Sequence, residues 1–327
     1  MEKPEKIKRV RFKVWLMVLI DILLIGAGLN VFALFHHVLP EIGKVAVPAI
    51  TPSPTPASTP QPLQSAEPAM ESDTQFFFDG VFAQDGQSEK TENSYKSKNV
   101  SITLTTHDVD DLRYYVQDIY VRKIDYFKTA FAQDTFGTGI KEYPYDIAQE
   151  HDAICAISGD YYGARKKSVV IRNGVLYRSD TYDDICVIYN DGVMRVFDED
   201  EFDAEKEMQN GAYQAWDFGP NLLNEDGTPI EKFNSRIASE NPRTAIGYYE
   251  PGHYCFVVVD GRGANGSDGL SLKDLAQLFA DLGCKAAYNL DGGRTSCMVM
   301  YGEMINKHYE SNCRKSSDIV MICDEEQ

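Results

Sequence analysis

Beyond residue 98 the chain is dominated by short runs in which apolar and polar positions alternate, the mark of strands with one buried face. NVSITLTT (99–106) places Val100, Ile102 and Leu104 on one side. VDDLRYYVQDIYV (109–121) mixes strand and helix periods, and DAICAISGDYY reads as a buried strand that stops at Gly159-Asp160. SVVIRNGVLY is two strand runs about Asn173-Gly174, and DICVIYNDGVMRVF repeats the device about Asn190-Asp191-Gly192. Asn-Gly fits the tight turn whose twist matches paired strands, so both read as hairpins. AWDFGPNLLNEDGTPI reads as another strand and turn. NPRTAIGYY (241–249) and HYCFVVVDGR, separated by EPGH, read as antiparallel neighbours. TSCMVMYGEMINK reads as a closing hairpin.

One segment has a clear helical period. SLKDLAQLFADLG aligns Leu272, Leu275, Leu278, Phe279 and Leu282, with Ser271 and Asp274 as a capping pair and Gly283 as the stop. KAAYNLDGG after it reads as a strand and turn. The order predicts the α+β class over residues 98–327, with a mixed, largely antiparallel sheet and a few packed helices.

The N-terminal part is of another kind. Residues 1–13 hold six Lys or Arg against two Glu and read as a cytoplasmic basic tail. VWLMVLIDILLIGAGLNVFALF (14–35), within an anchor segment set at 14–38, is long enough to span a bilayer of about 30 Å, and the basic flank orients the rest of the chain outward. Asp21 and Asn30 interrupt the run. A cleaved signal peptide is the alternative, though the apolar stretch is long for one. Residues 39–97 read as a disordered Pro/Ser/Thr-rich stalk and polar linker, within which FFFDGVFAQDG is either a loose tail or a strand that docks. The expected location is the cell membrane, single-pass, with the globular domain outside.

Formal net charge is −18, and the basic tail makes the remainder more acidic still. Bulk attraction to nucleic acid is excluded, so any phosphate must be met by local Arg or by backbone N–H groups. DEDEFD (198–203) lacks the spacing and central Gly of a calcium loop. The seven Cys include no C-x-x-C, and the six His form no H-E-x-x-H, so neither a zinc site nor any other metal or cofactor is expected. A disulfide among Cys297, Cys313 and Cys323 suits an exported chain.

FVVVDGRGANGSDG (256–269) contains G-x-G-x-x-G after a strand, which raises a dinucleotide fold. Such a fold starts its helix within the glycines and continues through further βαβ units. Here the cap is Ser271, and a hairpin follows Asp291, so that reading fails. Turn-forming glycines remain the plain alternative. The residues gathered at the ends of apolar runs are more telling: Asp160, Arg243, Asp260, Arg262, Asn289 and Asp291. Carboxylates beside guanidinium groups suit an acid-labile centre next to an anion. Gly292 and Gly293 offer an anion nest, with hydroxyls from Thr295 and Ser296.

ISGDYYG, VIRNGVLYR, FGPNLL, NPRTAIGYY, VVVDGR, LKDLAQLFADLGCKAAYNLDGG and TSCMVMYGEMIN, in that order across about residues 98–325, resemble the phosphodiester glycosidase domain family. This family includes N-acetylglucosamine-1-phosphodiester α-N-acetylglucosaminidase, and the nearest resemblance is to bacterial, membrane-anchored relatives often labelled exopolysaccharide biosynthesis proteins. The resemblance implies hydrolysis of a sugar C1–O–phosphate bond in a wall or capsular polymer. It implies phosphate contacts from Arg243, Thr244, Arg262, Asn289, Gly292, Gly293, Arg294, Thr295 and Ser296. Asp291 and Asp160 are the first candidates for water activation or nucleophilic attack, with Asp260 a third or a support for Arg262; each has a turn-capping alternative. Two positions depart from the family pattern. Arg294 stands where NLDGGGSS has glycine, which implies added phosphate affinity, altered specificity or lost activity, and ISGDYY stands where many members have INGGFF. A non-catalytic polysaccharide-binding or assembly protein is the alternative function, and a metal phosphodiesterase cutting the other P–O bond is a third.

Overall fold

The computed structural model describes residues 74–310 and 312–324. The expected basic tail, anchor and most of the stalk lie outside them; among the described residues no helix is long and apolar enough to cross a membrane.

Among the described residues, seventeen strands form three sheets. The largest contains β1 (Glu89–Thr91), β2 (Ser94–Lys96), β3 (Val100–Val109), β4 (Leu112–Val121), β12 (Arg243–Glu250), β13 (His253–Val259) and β14 (Ala286–Asn289), ordered β1-β2-β3-β4-β13-β12-β14. A second holds β7 (Val170–Arg172), β8 (Val175–Arg178), β9 (Ile185–Tyr189), β10 (Met194–Phe197) and β11 (Ala212–Asp217), ordered β10-β9-β11-β7-β8. The third holds β5 (Phe127–Phe131), β6 (Cys155–Ser158), β15 (Met298–Met300), β16 (Glu303–Met304) and β17 (Asp318–Ile322), ordered β16-β15-β6-β17-β5.

The expected hairpins at Asn173-Gly174 and Asn190-Gly192 are β7–β8 and β9–β10. Each pairing between these strands is antiparallel, which corrects the expected mixed sheet. The reason lies around the helix α3 (Leu272–Asp281): it joins β13 to β14, but β12 lies between those strands and pairs antiparallel with both. A dinucleotide fold would pair parallel strands across that helix.

Period-two alternation on β13 shows how the layers form. Tyr254, Phe256 and Val258 enter the main core with Ile157, Trp216, Met298 and Val320 from the two smaller sheets. Cys255, Val257 and Val259 face the other way, onto Leu272, Leu275, Ala276 and Phe279 of α3. Burial on both faces gives the strand its unbroken apolar run, as in a sheet covered on each side. Ser271 Oγ accepts the Asp274 amide at 3.1 Å, and Gly283 ends the helix region at φ +84°. Helix α1 (Pro144–Glu150) packs Ile147 and Ala148 on the outer face of the third sheet, beside Ala156 and Met321. The short α2 (Ala204–Gln209) is capped by Asp203, which gives the DEDEFD run a structural task.

The linker does not end where composition placed it. Phe76 is buried in the main core, and its amide donates to the Arg122 carbonyl at 2.8 Å. Its ring fills the space a side chain would need at Gly192 and Gly252. Together with β1 and β2, residues 74–97 are thus part of the packed unit; FFFDGVFAQDG docks through Phe76, but as turns and irregular chain and not as the strand expected. None of the seven cysteines is in a disulfide, Cys297, Cys313 and Cys323 included, which corrects the disulfide expectation.

Candidate active site

Antiparallel pairing brings separated segments to one rim. Arg243, at the start of β12, pairs with Val259 at the end of β13, while Ala245 pairs with Asn289 at the end of β14. The turn after β6 joins them from the third sheet: the Asp291 amide donates to the Gly159 carbonyl at 3.2 Å. A cleft of about 250 Å³ opens at this rim. Asp291, Asn289, Gly292, Gly293, Arg243, Arg262, Arg294 and Arg314 line it together with an apolar wall that includes Phe218, Ile237 and Pro242.

Asp291 is the cleft's carboxylate. Arg314 Nη2 donates to its Oδ2 at 3.0 Å, and the same guanidinium donates to Thr295 Oγ1 from Nε at 3.1 Å and Nη2 at 2.6 Å. Burial pushes the Asp291 carboxyl above the usual range, while Arg314 and Thr295 pull it back. The main chain of Arg314 is fixed as well, its amide donating to the Arg294 carbonyl at 2.6 Å. Arg314 escapes a reading of the sequence because NCRKSS has neither period nor turn signature; only the fold carries it across from the third sheet.

The glycines are required by contact. A Cβ at Gly292 would lie 2.6 Å from the Pro242 carbonyl oxygen, and Gly293 sits at φ +61° with its amide donating to that same oxygen at 2.8 Å. Arg262 is itself in the left-handed region at φ +56°. Its Nη1 donates to Tyr309 Oη at 2.6 Å and its Nη2 to Asn241 Oδ1 at 2.9 Å. Arg294 is half-exposed and ion-paired with Glu310 at 2.5 Å. Arg243 is buried and donates to the carbonyls of Leu270, Ile237 and Ser239. Burial lowers its pKa to about 10, so it stays charged at neutral pH. Asn289 donates to the Gly219 carbonyl at 2.8 Å, leaving its buried Oδ1 without a partner among the described residues.

Other expected site residues stand away from the cleft wall. Asp160 is fully buried, accepts from Arg172 at 3.0 Å and from the Tyr162 amide at 2.9 Å, and shares Arg172 with Asp318. This places it in an internal ion cluster behind the cleft, where its charge also raises the Asp291 carboxyl. Asp260 accepts from Tyr115 Oη at 3.1 Å and Asn265 Nδ2 at 2.8 Å. It therefore closes the glycine loop on its own strand, and the expected support of Arg262 by Asp260 is replaced by Tyr309 and Asn241. That loop is also tied within itself, Gly263 N to Ser267 O at 2.9 Å and Ser267 Oγ to Asp260 O at 2.7 Å. Thr244 is buried against Ser158, Oγ1 to Oγ 3.2 Å; Thr295 supports Arg314 from behind the wall; Ser296 Oγ is buried and unpartnered among the described residues.

The family profile described as phosphodiester glycosidase matches residues 151–323, more than half of the chain. The chain belongs to the phosphodiester glycosidase family, and the match spans the cleft's Asp291, Arg262 and Arg314. It is 33% identical over 183 residues to an SPbeta prophage-derived uncharacterized protein of Bacillus subtilis, covering 52% of this chain and 28% of that one. This chain thus spans less than a third of that relative's length. In fold it is similar to the zebrafish N-acetylglucosamine-1-phosphodiester α-N-acetylglucosaminidase catalytic domain, auto-inhibited by its pro-peptide, at a TM-score of 0.55 and 18% identity, covering 73% of this chain and 88% of that one.

Proposed function

We propose that the protein hydrolyses glycosyl phosphodiesters, breaking the bond between the sugar anomeric carbon and the phosphate oxygen. The observation that carries this reading is a single carboxylate, Asp291, in a cleft whose other charged lining groups, among the described residues, are guanidiniums. In such a reaction water adds its oxygen to C1, its proton is taken up by a base, and the bonding electron pair leaves with the phosphate. A phosphate monoester departs readily as an anion, so the strong general acid of ordinary glycoside cleavage is dispensable. The remaining needs are anion stabilisation and a base. Arg262 faces the phosphate in this reading, because guanidinium groups bind phosphate bidentately. Asp291 activates the water, held in orientation by Arg314 and Thr295. The unpartnered Asn289 Oδ1 accepts from a sugar hydroxyl, and Phe218 and Ile237 supply the apolar wall for the ring.

We place this activity outside the cell, on a glycosyl phosphate of a wall or exopolysaccharide polymer, because the apolar run at 14–35 follows a basic tail. The full chain incubated with the methyl phosphodiester of N-acetylglucosamine 1-phosphate, or of another sugar, is expected to release free reducing sugar and methyl phosphate. Sugar 1-phosphate as the product would instead report cleavage of the other P–O bond. Binding of such esters with no release from any would favour a non-catalytic binding protein.

A further inference from the structure

Among the described residues, four guanidiniums and one carboxylate line the cleft, and they differ in how firmly they are committed. Arg243 is held by three backbone carbonyls, and Arg314 by Asp291 and Thr295. Arg262 bonds only neutral groups, Tyr309 and Asn241, and among the described residues no carboxylate lies within ion-pair distance of it. Arg294 has one acidic partner, Glu310, and both side chains are about half-exposed, 52% and 43%. An ion pair so exposed contributes little and is readily exchanged for another anion. Counting Asp291 and Glu310 against the four guanidiniums leaves two positive charges uncompensated. One phosphodiester group brings a single negative charge.

The partners of the two loosely held arginines are consecutive residues. Tyr309 meets Arg262 and Glu310 meets Arg294, while His308 Nε2 sits 3.3 Å from the Gly293 carbonyl. The segment 308–310 therefore lies along the same rim as the 293–294 turn. Glu310 there occupies a position on Arg294 that a phosphate oxygen can take.

On this basis, and resting on the hydrolase reading above, we propose that Arg294 determines specificity, selecting substrates with a second anionic group beyond the cleaved phosphate, such as a glycosyl diphosphate ester. Arg262 meets the first phosphate, and Arg294 leaves Glu310 to meet the second. Glu310 acts as the counter-ion that a singly charged ester fails to displace.

The test compares the full chain on two esters of one sugar, N-acetylglucosamine 1-phosphate methyl ester and N-acetylglucosamine 1-diphosphate methyl ester, by released reducing sugar. Wild type is expected to favour the diphosphate about tenfold or more in kcat/KM. Arg294→Ala should collapse that ratio toward one; its main chain can still receive the Arg314 amide. Glu310→Gln should raise the ratio, chiefly through a lower KM for the diphosphate, and serves as the second variant if Arg294→Ala folds poorly. Equal use of the two esters by wild type, or a ratio untouched by both substitutions, overturns the assignment while leaving the hydrolase reading intact. Release from neither ester, with the matching esters of other sugars equally inert, overturns the hydrolase reading and the assignment together.

Discussion

Arg314 Nη2 lies 3.0 Å from Asp291 Oδ2, so the one carboxylate lining the cleft among the described residues is bonded to a cation from a segment 23 residues further along the chain. Burial raises the Asp291 carboxyl and Arg314 opposes that rise. With Asp291 as the base, activity falls as pH drops through its pKa. Arg314→Gln removes the opposing charge, so the acid limb of kcat/KM is expected to move to higher pH, with turnover lowered about 10- to 100-fold. Asp291→Asn should lose about 10³-fold or more and show no such limb. A pH–rate profile on a sugar phosphodiester checks both; an unshifted acid limb in Arg314→Gln would refute the coupling.

Arg172, fully buried, holds Asp160 at 3.0 Å and Asp318 at 2.8 Å. Arg172→Met leaves two carboxylates inside without their bonded cation, and removing one side of a buried ion cluster costs about 3–5 kcal/mol. A urea titration is expected to show that loss. Asp160→Asn should likewise lower the urea midpoint while the folded fraction keeps most of its turnover. A loss of turnover as large as that of Asp291→Asn, with stability intact, would return Asp160 to the catalytic group.

The contrast between these two aspartates marks how far the sequence is legible. Both end apolar runs before a turn, and local pattern treats them alike. They part only because Arg172, just before an Asn-Gly turn, reaches both Asp160, in the turn after β6, and Asp318, 146 residues further along the chain on β17. The hairpins, the β12–β13 pair and α3 are readable because turn chemistry, alternation and a capping serine are local signals. Strand β17 is not, since DIVMI follows a polar loop and finds its partners at β5 and β6, far back in the chain. Arg314 is hidden on the same ground. The glycine spacing 261–266 misleads in the opposite sense: its φ values and hydrogen bonds serve a closed turn, and the residue it contributes to the cleft is Arg262.

Phe76 gives the segment before residue 98 a structural role that its polar composition hides. The ring lies against Gly192 and Gly252, both at positive φ, where a Cβ would meet it at 2.5 and 2.6 Å. Truncating a buried Phe to Ala costs about 3–5 kcal/mol. Phe76→Ala is therefore expected to lower the thermal midpoint by several degrees, and a fragment beginning at residue 98 to be less stable than one beginning at 74. Equal melting of the two fragments would show that the segment is only appended.

Asp217 ties two loops together, its Oδ2 accepting from the Val169 amide and its Oδ1 from the Asp183 amide, each at 2.9 Å. It is 1% exposed, and burial pushes its carboxyl up to about 7. The folded protein therefore binds a proton more tightly at this group than the unfolded chain, whose carboxyl titrates near 4. Between those values the native state holds more protons, so this contribution is full below about pH 4 and is lost as pH rises through about 7. Thermal unfolding followed from pH 5 to 8 should show a downward slope that Asp217→Asn flattens, even though the amide lowers the midpoint by offering N–H where an acceptor is needed. An unchanged slope would mean that Asp217 stays ionised throughout, held by its two backbone donors.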